Sequence, residues 1–234
     1  MDVKYLVKVL GYRLIWLAEG RPPAQKPPPP PGTLDLAGDR DIEWAWVAAN
    51  LPPDPKQVLD FGPATSFIGL IAAMKGGKVL GLDLAPQPLT FRIDDLTCAA
   101  GDLVAYDFGD RRFDTILNCS TVEHVGLGSR YGGIEDADGD LHAMTIMRGL
   151  LRDPSSVMLM TVPVGRDGVY APYHRVYGAA RLPRLIHGYT VRREAYFAKR
   201  AGDNRWQPVP RAEALSVEGS EHFYGLGLFV LSGS

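Results

Sequence analysis

Two acidic residues that each end an apolar run are the first candidates for chemistry in this chain. Asp60 ends the run that begins at Val58, and Asp83 ends a second run 23 positions further along. Gly62 follows the first acid closely. In an open α/β sheet, ligands bind beyond the carboxyl ends of the strands, where a glycine turn admits a ligand and an acid about twenty residues later accepts ribose hydroxyls. This spacing predicts a nucleoside-binding half-domain.

Two histidines could take part in proton transfer. Glu123 and His124 follow another apolar run, and a histidine, with an ordinary pKa of about 6.5, can accept a hydroxyl proton at neutral pH. We predict His124 as the base, with Glu123 either orienting it or binding the cofactor; the alternative is that His124 caps or orients its loop through a backbone hydrogen bond. His174 and Arg175 form a second candidate pair beside Tyr173, since aromatic faces and donors suit a sugar ring. That aromatic cluster could equally pack a lid against the core.

The acidic run 135–140 has two interpretations. Asp138 and Asp140 present oxygen ligands of the kind that Mg²⁺ prefers, which would assist deprotonation of a sugar hydroxyl. No glutamate stands where an EF-hand requires one, because Met147 occupies that position. The favoured interpretation is a solvated loop in which Asp138 or Asp140 caps the helix that follows.

The elements that must position these residues alternate between strand and helix. Alternation of buried strands with helices predicts an α/β fold of the Rossmann-like, doubly wound kind. We expect a mostly parallel seven-stranded sheet whose last strand is antiparallel, because a loop over 202–222 rather than a crossover helix precedes it. The predicted strands are 57–60, 78–83, 96–99, 113–119, 156–162, 189–198 and 223–232, and the predicted helices are 41–50, 66–75 and 140–152.

The first 32 residues are predicted to stand apart from this domain. Residues 1–20 carry an apolar stripe interrupted by lysine and arginine, which predicts an amphipathic helix and not a membrane span. Residues 21–32 contain seven prolines and form a semi-rigid linker. We expect the helix to pack on its own domain, 33–234, or in a homodimer; the alternatives are peripheral docking on a membrane and binding of a protein partner.

The amino-acid composition limits the kinds of partner that the chain is expected to bind. The chain has 234 residues, 46% of them hydrophobic, and a formal net charge of −2, so it is globular and lacks the basic footprint of a nucleic-acid-binding protein. Its two cysteines, Cys98 and Cys119, have no metal-ligand spacing, which favours a reducing cytoplasmic location. A small-molecule or glycan substrate is the expected partner.

Several segments together resemble the successive motifs of class I S-adenosylmethionine-dependent methyltransferases. The resemblance covers residues 56–165 and is carried by the segments Asp60-Phe61-Gly62, Asp83, Gly101-Asp102-Leu103 and Phe113-Asp114-Thr115-Ile116, followed by Ser120-Thr121-Val122-Glu123-His124. Within that superfamily, Glu123-His124-Val125-Gly126, Tyr131-Gly132 and His174-Arg175-Val176-Tyr177 resemble a group associated with bacterial surface sugars and glycoconjugates.

This resemblance implies S-adenosyl-L-methionine as cofactor and assigns residues to it. Asp60 and Gly62 would border its methionine part, with Pro63 and Leu84 also in the cofactor site. Asp83 would accept the ribose hydroxyls, Asp102 and Leu103 would hold the adenine, and Ser120 would lie beneath the sulfonium. Tyr131, Tyr173 and Arg175 would contact the substrate.

Three functions follow, in order of preference. The first is an O-methyltransferase acting on a sugar hydroxyl of a glycan, glycolipid or glycosylated metabolite, although the sequence does not distinguish oxygen from nitrogen or carbon as the acceptor atom. The second is a non-catalytic nucleoside-binding or scaffold module, favoured because the turn after Asp60 has one glycine where the superfamily has two or three. The third, a nicotinamide oxidoreductase, lacks both a G-x-G-x-x-G turn and a Tyr-x-x-x-Lys pair.

Overall fold

A computed structural model of the chain describes residues 34–86, 93–128 and 133–233. The predicted N-terminal helix 1–20, the whole of the linker 21–32 and the candidate substrate residue Tyr131 lie outside the described residues. Within the described part, no helix is both long enough and apolar enough to cross a membrane.

The elements follow one another largely as the sequence predicts. Helices α1 and α2 cover Asp39–Asn50 and Ile68–Met74, α3 covers Gly139–Leu150, α4 Arg181–Leu185 and α5 Arg211–Ala214, and a 3₁₀ turn covers Val122–His124. The strands are β1 Gln57–Phe61, β2 Lys78–Asp83, β3 Leu96–Ala100, β4 Thr115–Cys119, β5 Val157–Val164, β6 Gly168–Tyr170, β7 His174–Val176, β8 Tyr189–Arg200, β9 Asp203–Pro208 and β10 Gly225–Gly233.

Eight strands form the main sheet, in the order β3-β2-β1-β4-β5-β10-β8-β9. The first five in that order pair in parallel, and β10 lies antiparallel between β5 and β8. The doubly wound sheet and its antiparallel last strand are therefore confirmed. The eighth strand is β9, which forms within the predicted loop 202–222 by antiparallel pairing with β8, and α5 lies in the same segment.

Helices cover both faces of the sheet, which explains the continuous apolar runs of its inner strands. Leu59 and Phe61 of β1 pack with residues of α3 on one face, whereas Val58 packs with Val47 of α1 and with Ile68 of α2 on the other. Alternate side chains of a strand point to opposite faces, so each face of β1 needs its own apolar cover. This arrangement leaves the carboxyl ends of β1, β2 and β4 at one edge, where the candidate residues lie.

Candidate functional site

The turn after β1 has the backbone shape of a glycine-rich turn although it has only one glycine. Gly62 has φ +66°, and a Cβ built there would lie 2.2 Å from Cγ2 of Thr121. Ala64 also adopts a left-handed conformation, with φ +45°, which costs a residue with a side chain about 1–2 kcal/mol. The Gly62 N–H donates to the Leu82 carbonyl at 2.8 Å. The turn is thus held against the ends of both β2 and β4.

Asp83 lies at the end of β2, where the spacing predicts a ribose-binding acid. Its Oδ2 accepts the Ala64 N–H and its Oδ1 accepts the Ala85 N–H, each at 3.0 Å. A carboxylate offers about four lone-pair sites, so each oxygen retains acceptor capacity. The next residue, Leu84, is 41% exposed. Pro63 packs on Gly81 of β2: a Cβ built on that glycine would lie 3.3 Å from Cγ of Pro63. The two backbone donors fix the carboxylate at the sheet edge.

The end of β3 lies next to Asp83, as the resemblance implies for an adenine subsite. The Gly101 N–H donates to the Asp83 carbonyl at 2.9 Å, and Asp102 Oδ1 accepts the Val104 N–H at 2.9 Å. Leu103, however, is only 3% exposed and packs in the hydrophobic core. The side chain of Leu103 is therefore part of the core, whereas Asp102 lies beside the end of β2.

Asp60 faces the first turn of α2. Its Oδ2 lies 2.6 Å from the position of a Cβ built on Gly69, so no larger residue fits there without displacing the carboxyl group. Burial raises the pKa of Asp60 to about 7; the charge of Asp83 adds to this rise, and the Gly69 N–H opposes it. A narrow cleft behind the turn is lined by Asp60, Pro63, Ser66, Gly69, Gly81 and Cys98.

Ser120 follows β4 in a left-handed conformation, with φ +48°. Its N–H donates to the Thr161 carbonyl at 3.0 Å, and its hydroxyl donates to Oε1 of Glu43. Thr161 Oγ1 donates to the same oxygen at 2.8 Å, while Arg40 pairs with Oε2. Burial raises the pKa of Glu43, and the Arg40 charge and the two hydroxyl donors oppose this rise.

Sequence reasoning missed Glu43 and Arg40, although one signal was present. Glu43 lies four residues before Val47, on the face of α1 that packs against the sheet, and both residues are fully buried. Residues four apart share a helix face, so an acid on the apolar face requires a buried partner.

Glu123 and His124 lie together on the 3₁₀ turn after β4. Nδ1 of His124 is hydrogen-bonded to the Tyr173 carbonyl, which can only accept, so Nδ1 carries the proton and Nε2 is the basic nitrogen of the neutral ring. Nε2 lies 3.7 Å from Glu123 Oε1. Glu123 is 1% exposed, and burial raises its pKa to about 8. The backbone hydrogen bond that we considered as an alternative role for His124 therefore exists, and it leaves Nε2 as an acceptor.

Tyr173, whose carbonyl holds His124, belongs to a group of aromatic side chains. The rings of Tyr173 and His222 meet at 6.2 Å, and His174 packs between Tyr170 and Tyr224. We call these five residues the aromatic cluster. Tyr173 is half-buried and His222 is exposed, so this end of the cluster is open to a ligand.

The second candidate pair is placed inside the protein. His174 is 6% exposed, and its Nε2 is hydrogen-bonded to the Ser220 carbonyl at 3.1 Å. Arg175 is 1% exposed and donates to the carbonyls of Val125, Asp136 and Ala137. The guanidinium of Arg175 thus holds the loop between β4 and α3, and the structure does not bring it to the surface where a substrate could contact it.

The acidic run 135–140 is used for ion pairs. Both oxygens of Asp140 accept from Arg181, and Asp138 pairs with Arg181 and Arg184. The prediction that Asp138 or Asp140 caps α3 is wrong: Asp138 occupies the cap position, but its side chain makes no capping bond because the arginines hold it. Across residues 34–86, 93–128 and 133–233, no cluster of His, Cys, Asp and Glu is arranged to hold a metal ion.

Comparison with known proteins relates the fold to solved structures. A Burkholderia thailandensis 1,6-didemethyltoxoflavin-N1-methyltransferase with bound S-adenosylhomocysteine aligns over 100% of this chain and 91% of its own, at 18% identity and a TM-score of 0.57. The N-methyltransferase NodS from Bradyrhizobium japonicum, in complex with S-adenosylhomocysteine, aligns over 93% and 97%, at 15% identity and a TM-score of 0.57. The glycopeptide N-methyltransferase MtfA, complexed with S-adenosylmethionine, aligns over 91% and 100%, at 16% identity and a TM-score of 0.53.

Comparison of the sequence with known families and curated proteins gives no information on function. A family model described as "Caenorhabditis protein of unknown function, DUF268" matches residues 100–202, and no curated protein matches the chain. The narrower resemblance to surface-sugar proteins stays a prediction. The structural neighbours do share one architecture with this chain: it has the Rossmann-like fold of class I S-adenosylmethionine-dependent methyltransferases.

Proposed function

We propose that this protein is an S-adenosylmethionine-dependent methyltransferase. The proposal rests on one observation: the carboxyl ends of β1, β2 and β4 are held together by direct contacts at the same end of the sheet. The turn at Gly62 is bonded to the end of β2 and packed on Thr121 after β4, while Ala64 of the same turn donates to Asp83. A nucleoside bound beyond these ends would meet a left-handed turn, a fixed carboxylate and the tip of β4 together.

The residues present suit this ligand. Asp83 would hold the ribose diol, because both of its oxygens retain acceptor capacity beside their backbone donors. Asp102 would lie toward the adenine and Ser120 toward the methionine end. When bound, S-adenosylmethionine supplies an electrophilic methyl group on a sulfonium. The role of the protein is to place the acceptor in line with that group and to remove the acceptor's proton.

We propose a sugar hydroxyl as the acceptor and His124 as the base. Nε2 of His124 is the nitrogen that can accept a proton, since Nδ1 is engaged with the Tyr173 carbonyl. Glu123, whose Oε1 lies 3.7 Å from Nε2, would orient the imidazole ring. The open end of the aromatic cluster, at Tyr173 and His222, would stack on the sugar ring.

Binding and transfer assays test this function in two steps. Calorimetry of the full chain with S-adenosylmethionine, S-adenosylhomocysteine and NADH should give heats for the first two ligands only. Methyl transfer from radiolabelled S-adenosylmethionine is then measured on nucleotide sugars, free oligosaccharides and the corresponding amino sugars.

The arms of the assay separate the alternatives. Methylation of amino sugars alone would replace the hydroxyl acceptor with an amine. Binding of S-adenosylhomocysteine without transfer to any acceptor would favour the nucleoside-binding module. Binding of NADH alone would refute the methyltransferase proposal.

A further inference from the structure

Helix α1 delivers a buried carboxylate to the tip of β4. Glu43 is fully buried, and each of its oxygens has a partner: Oε1 accepts from the hydroxyls of Ser120 and Thr161, and Oε2 is paired with Arg40. Glu43 is separated from Ser120 by 77 positions and from Thr161 by 118. Helix α1, β4 and β5 are therefore joined at a single side chain.

These bonds set the direction of the Ser120 hydroxyl. A hydroxyl has one donor hydrogen and two lone pairs, and Ser120 directs its hydrogen to Glu43. The buried Glu123 carboxyl also lies within hydrogen-bonding reach of this hydroxyl and occupies one lone pair when it is protonated, so one lone pair is left for a donor from outside. Ser120 is 7% exposed at the edge where β4 ends, so the atom that it offers to a ligand there is an acceptor.

The same bonds hold a strained backbone. Ser120 keeps φ +48°, a conformation that persists in residues other than glycine only where surrounding contacts enforce it. The next residue, Thr121, packs on Gly62 and donates to its carbonyl at 3.3 Å. Ser120 and Thr121 thus lie between Glu43 and Gly62, the residue that the family resemblance assigns to the methionine part of the cofactor.

We propose that Glu43 is a positioning residue for the methionine end of the cofactor site, where it orients the Ser120 hydroxyl to accept a hydrogen bond from the ligand's ammonium group. This inference rests on the proposed function and assigns a role to a helix that precedes the sheet. Glu43 touches no ligand itself, and its effect passes through Ser120. Loss of the carboxylate should weaken only ligands that carry the amino-acid half.

Two ligands, one with the amino-acid half and one without it, test this expectation. S-adenosylhomocysteine and 5′-methylthioadenosine share the nucleoside and the sulfur, but the second lacks the amino acid. Their dissociation constants are measured by calorimetry on the full chain and on Glu43→Gln, Ser120→Ala and the double variant. Asp41→Asn is the matched control, since Asp41 is an exposed acid of the same helix. Ala64 adopts a left-handed φ of +45° in this protein, close to the +48° of Ser120, so we expect alanine at position 120 to keep the backbone conformation of the wild type.

The expected result is selective. Glu43→Gln and Ser120→Ala should each weaken S-adenosylhomocysteine about ten- to a hundredfold, as loss of a hydrogen bond to a charged group does, and leave 5′-methylthioadenosine within about threefold. The double variant should bind S-adenosylhomocysteine about as tightly as the single variant with the lower affinity, because the two substitutions disrupt the same hydrogen bond. Asp41→Asn should change neither constant.

Other outcomes overturn the inference. Equal weakening of both ligands would assign Glu43 to the stability of the whole edge, and unchanged S-adenosylhomocysteine affinity would remove it from the site. If Glu43→Gln does not fold, Ser120→Ala decides by the same criterion. A wild-type chain that binds neither ligand would instead refute the proposed function.

Discussion

The exchange of Asp83 for asparagine is the most direct test of the nucleoside site. The two residues have the same shape, but the amide keeps only one acceptor oxygen and adds a donor nitrogen. In the folded protein, Asp83 accepts the Ala64 and Ala85 N–H groups through different oxygens, both at 3.0 Å. Asparagine must therefore leave one of these two N–H groups facing its own amide nitrogen.

The cost to ligand binding follows from the same geometry. One ribose hydroxyl would lose its acceptor and the other would lose the charge on its acceptor. A hydrogen bond to a charged group contributes about 1.5–3 kcal/mol, so S-adenosylhomocysteine should bind roughly ten- to 150-fold more weakly. Because both of these hydrogen bonds are exposed, water can pair with the released N–H, and the free energy of unfolding should fall by less than about 1 kcal/mol.

Calorimetry with S-adenosylhomocysteine measures the binding term, and urea denaturation measures the stability term. Asp95→Asn is the control, because Asp95 is an exposed acid just before β3 and should leave affinity within twofold. A ligand with 2′-deoxyribose should lose less affinity than the ribose ligand when Asp83 is changed, since one of the two hydroxyls is already missing. A folded Asp83→Asn protein that binds S-adenosylhomocysteine within threefold of the wild type would remove Asp83 from the site.

Three further predictions concern the base, the buried acids and the N-terminus. His124→Ala should lower turnover about 10²–10⁴-fold on the acceptor that the transfer assay identifies, with cofactor affinity nearly intact, whereas His187→Ala, at an exposed histidine outside the proposed site, should not; a His124→Ala rate within threefold of wild type excludes His124 as the base. Because burial raises the pKa of Asp60 to about 7 and that of Glu123 to about 8, the folded state binds more protons than the unfolded state above about pH 5, so the free energy of unfolding should fall between pH 5.5 and 7.5. Glu123→Gln should make this decline shallower by about 1.4 kcal/mol per pH unit in urea titrations, and an unchanged slope would contradict the assignment. Deleting residues 1–31 should leave a cooperative fold that binds S-adenosylhomocysteine, since Asp35 and its ion pair with Lys199 are retained; an insoluble product would place the N-terminal segment in the core.

Local pattern was enough to predict the sheet and the position of Asp83. A strand buried on both faces produces a continuous apolar run, and the residue that ends a parallel strand lies at the sheet edge whatever the rest of the chain does. Gly62 and Asp83 could thus be assigned to one edge from their spacing alone. The added strand β9 could not, because an edge strand of mixed polarity is defined by its pairing with β8 and not by its own periodicity.

Partners far apart in sequence were decided only by tertiary packing. Glu43 reaches Ser120 and Thr161 because α1 lies against the sheet, and Asp140 is neutralised by Arg181 from 41 positions away. Arg175, which sequence suggested for a substrate, is instead buried under the loop that it holds. Burying a charge is unfavourable unless it finds a partner, and the partner is set by which elements come together in three dimensions. The amino-acid sequence by itself therefore determined where the site lies, at the carboxyl ends of the parallel strands. The packed fold determined which charged side chains are found there and which are buried in ion pairs elsewhere.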